Sequence, residues 1–309
     1  MTLPRSWVSL CLLAGVLAAQ PAIRVDVHLV NVGFSVRDSQ GKLVTNLTRD
    51  DFEVFEDGAP QKISFFARSS DVPLKLGLLM DVSGSQDSFV KPHNKDLHTF
   101  LESVLGPKDQ AFMLCFGNHL RLVSDFTGSP GHLTGALELF HKGKTEFPEI
   151  GPAEHRILGT AFYDAIYYSA TQLLANTEGG RKALVIFSDG EDNSSAHHML
   201  DAIEAAQTND VLLFTVRYTE VKNGRLNARN KYGAGVMERI ARETGGFGYD
   251  AREKGLKANF EQIGEQLRCS YELAYHSTDP SDGGTFHKIR IRPRQAGLVV
   301  RAKSGYYTR

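Results

Sequence analysis

The chain is poor in cysteine, carries no excess of positive charge and has few long apolar runs. Its 309 residues include 3 cysteines, and 35 Lys and Arg stand against 36 Asp and Glu, which gives a net charge of -1. No Lys/Arg stripe with interleaved aromatic residues is present, so we do not expect nucleic-acid binding. Beyond the N-terminus no apolar segment approaches the length of about 20 residues that a membrane-spanning helix needs. We therefore expect no membrane span.

The sequence also lacks several catalytic and cofactor motifs. There is no His-Glu-x-x-His, no Cys-x-x-Cys and no P-loop, so a zincin, a paired-thiol site and a P-loop nucleotide site have no support. Gly-x-Ser-x-Gly, the nucleophile turn of serine hydrolases, is missing from the serine-containing turn at 81–85. With no catalytic constellation identified, we expect a protein that is not an enzyme.

The N-terminus is typical of a secretory signal peptide. Arg5 supplies a small positive region, Trp7 to Val16 is apolar, and Ala18 to Gln20 offers a small-residue cleavage site. We expect residues 1–19 to be removed and the mature protein to be secreted or periplasmic. Of the cysteines that remain, Cys115 lies in an apolar strand pattern and Cys269 ends a helical one, so two separate buried thiols are favoured over a disulfide.

A strand followed by small oxygen-bearing side chains lies in the first third of the chain. The run 74–80 is almost continuously apolar, which is typical of a strand covered on both faces in a parallel sheet. Asp81, Ser83 and Ser85 alternate directly after it, and open α/β sheets bind their ligands beyond such strand ends. The turn therefore predicts a binding site.

Two further segments add oxygen ligands to this predicted site. The apolar run Ala183 to Phe187 ends in Ser188, Asp189 and Gly190, and Thr160 precedes a helical pattern at 161–174. Together the chain offers five hard oxygens, from Asp81, Ser83, Ser85, Thr160 and Asp189. The alternative is that Asp and Ser serve only as turn and helix-cap residues.

The pattern Asp-x-Ser-x-Ser, a distant Thr and a later Asp-Gly resembles the metal-ion-dependent adhesion site of von Willebrand factor A (VWA) domains. The resemblance implies a divalent cation, Mg²⁺ first and Mn²⁺ or Ca²⁺ as alternatives, held directly by Ser83, Ser85 and Thr160 and partly through water by Asp81 and Asp189. It also implies a partner protein whose acidic side chain completes the coordination. Residues 43–66 (LVTNLTRDDFEVFEDGAPQKISFF) resemble the leader of a VWFA-related family known chiefly from Acidobacteria.

The order of strand and helix patterns predicts an α/β fold with a doubly wound, mainly parallel sheet (Rossmann-like VWA fold). We place this VWA domain at 73–268. The segments 22–70 and 270–309 are rich in strand patterns, but each is too short to form a sandwich alone. We therefore expect the two segments to pair into a small antiparallel β-sandwich-like domain, with the VWA domain inserted between them.

Several residues near the predicted site leave two interpretations open. Asp164, one helical turn after Thr160, either supports the metal from outside its ligand shell or is a first-turn acid favoured by the helix dipole. Glu191 and Asp192 are expected at the rim of the site, without a role as ligands. The pattern also predicts helices at 196–207 and 236–244 and a polar loop at 218–232.

Taken together, these patterns favour an exported, metal-dependent binding or adhesion protein. The alternatives are a metal-dependent hydrolase, for which His197 and His198 are the candidate bases, and a structural module that a metal stabilises. The acidic run from Asp50 to Asp57 is explained more simply by solvated turns and an edge strand than by a second cation site.

Overall fold

The computed structural model describes residues 29–68, 72–83, 94–143, 145–151, 159–177, 179–218, 226–252, 255–268, 270–279 and 283–308. The expected signal peptide, Ser85 and Cys269 lie outside the described residues. The strands are β1 (Leu29–Arg37), β2 (Phe52–Glu56), β3 (Ala59–Gln61), β4 (Ile63–Arg68), β5 (Leu74–Asp81), β6 (Gln110–Phe116), β7 (Leu120–Thr127), β8 (Arg181–Ser188), β9 (Val211–Arg217), β10 (Gly248–Asp250), β11 (Tyr271–His276), β12 (Phe286–Pro293), β13 (Val299–Ala302) and β14 (Gly305–Tyr307). The helices are α1 (Asn94–Val104), α2 (Pro130–His141), α3 (Phe162–Tyr168), α4 (Met199–Thr208), α5 (Ala228–Glu243) and α6 (Leu256–Arg268).

A six-stranded sheet forms the centre of the α/β unit, in the order β10-β9-β8-β5-β6-β7. All neighbours pair in parallel except β6 and β7, which are antiparallel. The apolar run of β5 lies between β6 and β8 and is almost wholly buried, as strands in a sheet covered on both faces must be. The predicted doubly wound, mainly parallel sheet is confirmed.

Helices cover both faces of this sheet, and each face has its own apolar core. Helices α1, α2 and α6 pack on one face, where Phe100 and Phe260 stack with ring centroids 4.4 Å apart. Helices α3, α4 and α5 pack on the other. Cys115 on β6 is a free, fully buried thiol whose pKa is raised by burial, in agreement with the expectation for this cysteine.

Two four-stranded antiparallel sheets, ordered β13-β1-β11-β4 and β14-β12-β2-β3, enclose a third apolar core. Strands from both ends of the chain share each sheet, since β11 pairs with β1 and β4, and β12 pairs with β2. Phe34, Phe52 and Tyr271 form an aromatic cluster inside, with centroid distances of 5.0 to 5.9 Å. The expected antiparallel β-sandwich is therefore present, whereas the domain limits at 70–73 and 268–270 stay a prediction.

Polar contacts join the sandwich to the α/β unit. The Lys303 ammonium donates to Asp210 at 2.5 Å, just before β9. Gln207 on α4 donates to Ser304 at 3.0 Å, and Gln266 on α6 donates to Ser35 at 3.2 Å. Among the residues described, no helix is long and apolar enough to cross a membrane.

Helix α5 starts earlier than the sequence pattern predicts. The expected polar loop at 218–232 is already helical from Ala228, because the Asn227 side chain caps the helix and accepts the Asn230 N–H at 2.7 Å. The first two turns of α5 are polar and lack an apolar stripe. The sequence pattern therefore did not predict them to be helical.

Gly77, at the middle of β5, provides a test of the packing of the central sheet. A methyl group there would lie 2.3 Å from both Leu184 and Phe112 on the neighbouring strands, so we expect Gly77→Ala to lower the free energy of unfolding by about 1–3 kcal/mol. Gly33→Ala in β1 is the matched control, because a methyl group there meets nothing within 4 Å. Urea unfolding measures the free energy of unfolding of both variants, and an equal loss of stability in the two would contradict the packing described.

Candidate metal centre

Two buried carboxylates lie at the carboxyl edge of the central sheet. Asp81 is the last residue of β5, and Asp189 directly follows β8, the parallel neighbour of β5. Asp81 is 1% exposed and Asp189 is 6% exposed. The apolar runs before them are in register, with Met80 opposite Phe187, so the fold of the two strands places both acids at one point of the edge.

Hydrogen bonds hold the Asp81 carboxylate in place. The Ser188 hydroxyl donates to Oδ2 at 2.6 Å, and the Ser83 N–H donates to Oδ1 at 2.9 Å. Burial raises the pKa of Asp81 to about 6, and the negative charge of Asp189 acts in the same direction, whereas the bonds from Ser188 and Ser83 oppose the shift. The edge is therefore a place where added positive charge is favourable.

Thr160 is anchored by its backbone between two loops of this edge. Its N–H donates to the Asn193 side chain at 2.7 Å, and its carbonyl accepts the N–H groups of Asn193 and Ser194 at 3.2 and 3.3 Å. The next residue, Ala161, donates its N–H to the Gly117 carbonyl at 2.8 Å. Thr160 thus stands just before α3 with its position set by the segments that follow β6 and β8.

Ser83 adjoins the same turn after β6. Val82 donates its N–H to the Phe116 carbonyl at 2.8 Å, and a methyl group on Gly117 would lie 3.9 Å from the Ser83 nitrogen. The structure therefore brings four of the five predicted ligands, Asp81, Ser83, Thr160 and Asp189, to one edge of the sheet. Ser85 lies outside the described residues, and the role of all five as metal ligands stays a prediction.

Asp164 secures the segment that follows Asp189. Its wholly buried carboxylate accepts the N–H groups of Ala196 and His197 at 3.0 Å each, and it lies 2.7 Å from Nδ1 of His197. The His197 ring stacks on Tyr167 with 3.6 Å between centroids. Because these N–H groups point to Asp164, α4 begins at Met199 and not at Ala196 as the sequence pattern predicted. A role for Asp164 beside a metal stays a prediction.

Asp192 and Ser195 belong to the same network, which the sequence did not reveal. The Ser195 hydroxyl accepts the Asp164 N–H at 3.1 Å and donates to Asp192, and Asp192 accepts the Tyr163 N–H at 3.2 Å. Burial raises the pKa of Asp192, with hydrogen bonds opposing the shift. The run 190–195 (GEDNSS) is rich in residue types that cap turns and helices, but that composition cannot name their partners.

A close backbone contact supports Asp189 from the other side. A methyl group on Gly233 of α5 would lie 2.3 Å from the Asp189 carbonyl oxygen, and one on Gly190 would lie 2.4 Å from the Gly233 carbonyl oxygen. Gly190 also has a φ of +79°, which glycine adopts readily. Glu191 at the rim pairs with Arg229 at 2.6 Å. Sequence reasoning missed Gly233 because this residue falls between the predicted loop at 218–232 and the predicted helix at 236–244.

The donor set suits a hard divalent cation. Carboxylate and hydroxyl oxygens are ligands of Mg²⁺, Mn²⁺ and Ca²⁺, whereas thiols and imidazoles suit softer ions. A cation at this edge would relieve the cost of burying Asp81 beside Asp189, which is the physical basis of the raised pKa of Asp81. By this criterion the residues present fit the predicted ion.

Comparison with known proteins gives structural likenesses alone. No model of a protein family matches the chain, and no curated protein matches it. A conserved hypothetical protein, BatB, from Bacteroides thetaiotaomicron is 15% identical, with a TM-score of 0.45 over 63% of this chain and 97% of that chain. Proximal thread matrix protein 1 from the mussel byssus, in a structure with a zinc-occupied MIDAS motif, is 13% identical, with a TM-score of 0.48 over 70% of this chain and 50% of that chain.

The vWF domain of the type V pili tip protein Mfa5 from Porphyromonas gingivalis is 10% identical, with a TM-score of 0.42 over 63% of this chain and 95% of that chain. These three TM-scores lie below 0.5 and carry no functional conclusion.

The buried charge of Asp81 predicts a specific pH dependence in metal-free protein. Because its folded pKa lies above the ordinary value of 3.8, the folded chain binds more protons than the unfolded chain between these values, and stability rises as the pH falls. Between about pH 7 and about pH 5, we expect wild type to gain about 1 kcal/mol more than Asp81→Asn, which cannot titrate. Urea unfolding in EDTA measures this difference, and an equal gain in the variant would contradict it.

Proposed function

We propose that this protein is an exported binding protein that captures a protein, or another carboxylate-bearing ligand, through a divalent cation. The cation, Mg²⁺ in first place, would be held by Asp81, Ser83, Ser85, Thr160 and Asp189. Their order along the chain resembles the adhesion site of VWA domains, and residues 43–66 resemble the leader of the VWFA-related family of Acidobacteria.

The observation that carries the proposal is the burial of Asp81 beside Asp189, with the Thr160 and Ser83 segments fixed at the same edge. Two neighbouring carboxylates removed from water are costly unless a positive charge compensates them. Their placement at the carboxyl ends of central parallel strands is the usual position of a ligand site in open α/β sheets.

The chemistry of these side chains favours binding over catalysis. Ser83, Ser85 and Thr160 would offer neutral oxygens, while Ser188 and Ser83 keep the Asp81 carboxylate oriented by hydrogen bonds. When bound, the cation would supply an open coordination position that a carboxylate of a partner can fill. The partner we propose is therefore a protein that presents an acidic side chain.

The position of His197 argues against the hydrolase alternative. Its ring stacks on Tyr167, in the second turn of α3, and its Nδ1 faces Asp164. His198 caps α4, where its N–H donates to Asp201 at 2.7 Å. Neither arrangement places a base at the edge where Asp81 and Asp189 meet, so we propose that the protein is not an enzyme.

Titration calorimetry of the metal-stripped chain without residues 1–19 tests the cation site with Mg²⁺, Mn²⁺ and Ca²⁺. We expect saturable binding that Asp189→Ala weakens at least about tenfold. Gly233→Ala should also weaken it, because the new methyl group displaces the Asp189 backbone. Gly235→Ala on the same helix is the matched control, since a methyl group there meets nothing within 4 Å. Identical binding by wild type and all three variants would refute the site.

Peptide capture then separates the three functional classes. The proposed function predicts that an array of Asp-containing peptides retains the protein in Mg²⁺ and not in EDTA, and that matched Asn peptides do not. A rise in thermal stability with Mg²⁺ but without capture would instead indicate a structural module. Turnover of a nitrophenyl ester or phosphate by wild type, lost in Asp189→Ala, would indicate a hydrolase.

A further inference from the structure

A second cluster of ligating side chains lies in the sandwich, well away from the sheet edge described above. Asp57 follows β2, Asp279 follows β11, and His287 is the second residue of β12. One ligand atom from each residue lies within 4.8 Å of the other two. Sheet pairing assembles this cluster from segments more than 200 positions apart in sequence, since β2 pairs with β12.

The His287 ring is buried, with one nitrogen facing the two acids. Its side chain is 1% exposed and stacks on Tyr306, with 5.3 Å between centroids and 28° between planes. His287 Nδ1 lies 2.8 Å from Asp57 Oδ2 and 3.9 Å from Asp279 Oδ2. The imidazole therefore enters the cluster with its orientation already set.

The two aspartates that lie near this nitrogen are accessible to solvent. Asp57 has a left-handed backbone (φ 49°), and its Oδ1 accepts the Lys288 N–H at 2.8 Å, so that Oδ2 is directed towards His287. The Asp57 and Asp279 side chains are 44% and 45% exposed. An ion can thus reach the cluster from water while the histidine behind it stays buried.

A buried carboxylate supports the cluster from inside. Glu56, 2% exposed, accepts hydrogen bonds from the hydroxyls of Tyr275 at 2.7 Å and Tyr306 at 3.0 Å, and from Ser277. Tyr306 thus joins Glu56 to the ring of His287, and Ser277 accepts the Asp279 N–H at 3.1 Å. Such outer contacts orient ligands around protein metal sites.

We propose that Asp57, Asp279 and His287 form a binding site for a divalent transition-metal ion, Zn²⁺ in first place. One imidazole nitrogen and two carboxylate oxygens suit borderline ions of this class better than Mg²⁺. Ligand atoms in a tetrahedral zinc site lie about 3.3 Å apart, so the distances of 2.8 and 3.9 Å from His287 Nδ1 each require a shift of roughly 0.5 Å. The two aspartate oxygens, which lie within 4.8 Å of each other, must close to the same spacing. Three protein ligands leave a fourth position for water or for a group of a partner.

This site is independent of the cation proposed at the α/β edge, and the test keeps the two apart. Zn²⁺ titration calorimetry and the visible absorption of bound Co²⁺ are recorded on the metal-stripped chain without residues 1–19 that carries Asp189→Ala. We expect this background to bind Zn²⁺, and Asp279→Ala added to it to weaken binding at least about tenfold. Since Asp279 is half exposed, this variant should fold, which circular dichroism checks.

The matched control is Asp50→Ala in the same background, which removes an acid of the sandwich whose side chain is 89% exposed. It should leave Zn²⁺ affinity unchanged. His287→Asn should abolish the visible d–d bands of Co²⁺ bound at this site. Absence of saturable Zn²⁺ binding in the Asp189→Ala background would overturn the proposal and leave His287 in a hydrogen bond with Asp57. Equal effects of Asp279→Ala and Asp50→Ala would overturn it as well.

Discussion

Burying Asp81 next to Asp189 requires two strands to end at the same place, because β5 and β8 run in parallel and in register into the edge of the sheet. The apolar residues before each acid favour this arrangement because their side chains are buried away from water on both faces of the sheet. Burial of the two carboxylates at the strand ends costs free energy, because the carboxylates lose their hydration. Hydrogen bonds from Ser188 and Ser83 offset part of this cost, and the pKa of Asp81 shows that a part remains.

Contacts around the two acids fix the positions of the segments that form this edge. Asn193 ties the loop after β8 to Thr160, Asp164 ties the start of α4 to α3, and Gly233 lets α5 approach the backbone of Asp189 without a side chain between them. Each contact joins segments that lie far apart in sequence. These contacts would position the proposed site before any ligand arrives, which would lower the entropic cost of binding.

The sandwich lies towards the opposite end of the α/β unit. Strands β4 and β11, which lead into and out of that unit, are antiparallel neighbours, and Arg181 at the start of β8 contacts Ser270 at 3.2 Å. Since β5 has 8 residues, about 23 Å separate its start from Asp81. The candidate metal centre therefore faces away from the sandwich, while the Asp57, Asp279 and His287 cluster offers a second, separate ligating surface.

Sequence periodicity predicted the elements whose burial is regular. The apolar strand pattern around Cys115 corresponds to β6, and the apolar runs of β5 and β8 were recognised together with the acids that follow them. Polar elements were harder: the start of α5 lacks an apolar stripe, and the start of α4 depends on hydrogen bonds to Asp164 that no local pattern records. The remaining misses come from contacts between residues that lie far apart in sequence.

The acidic run 50–57 illustrates this limit of local patterns. Asp51 caps a turn through the Thr48 N–H at 2.7 Å, and Glu53 pairs with Arg292 and Arg294, in line with the solvated interpretation. Glu56, by contrast, is buried, and Asp57 meets a histidine 230 residues away.

The most direct test of the central claim is an anomalous difference map from crystals of the mature protein grown with Mn²⁺. We predict a peak at the carboxyl edge of the sheet, with the Thr160 and Ser83 hydroxyl oxygens at about 2.1 Å and the Asp81 and Asp189 carboxylates around it. A map from these Mn²⁺-grown crystals with no peak among these side chains would contradict the account.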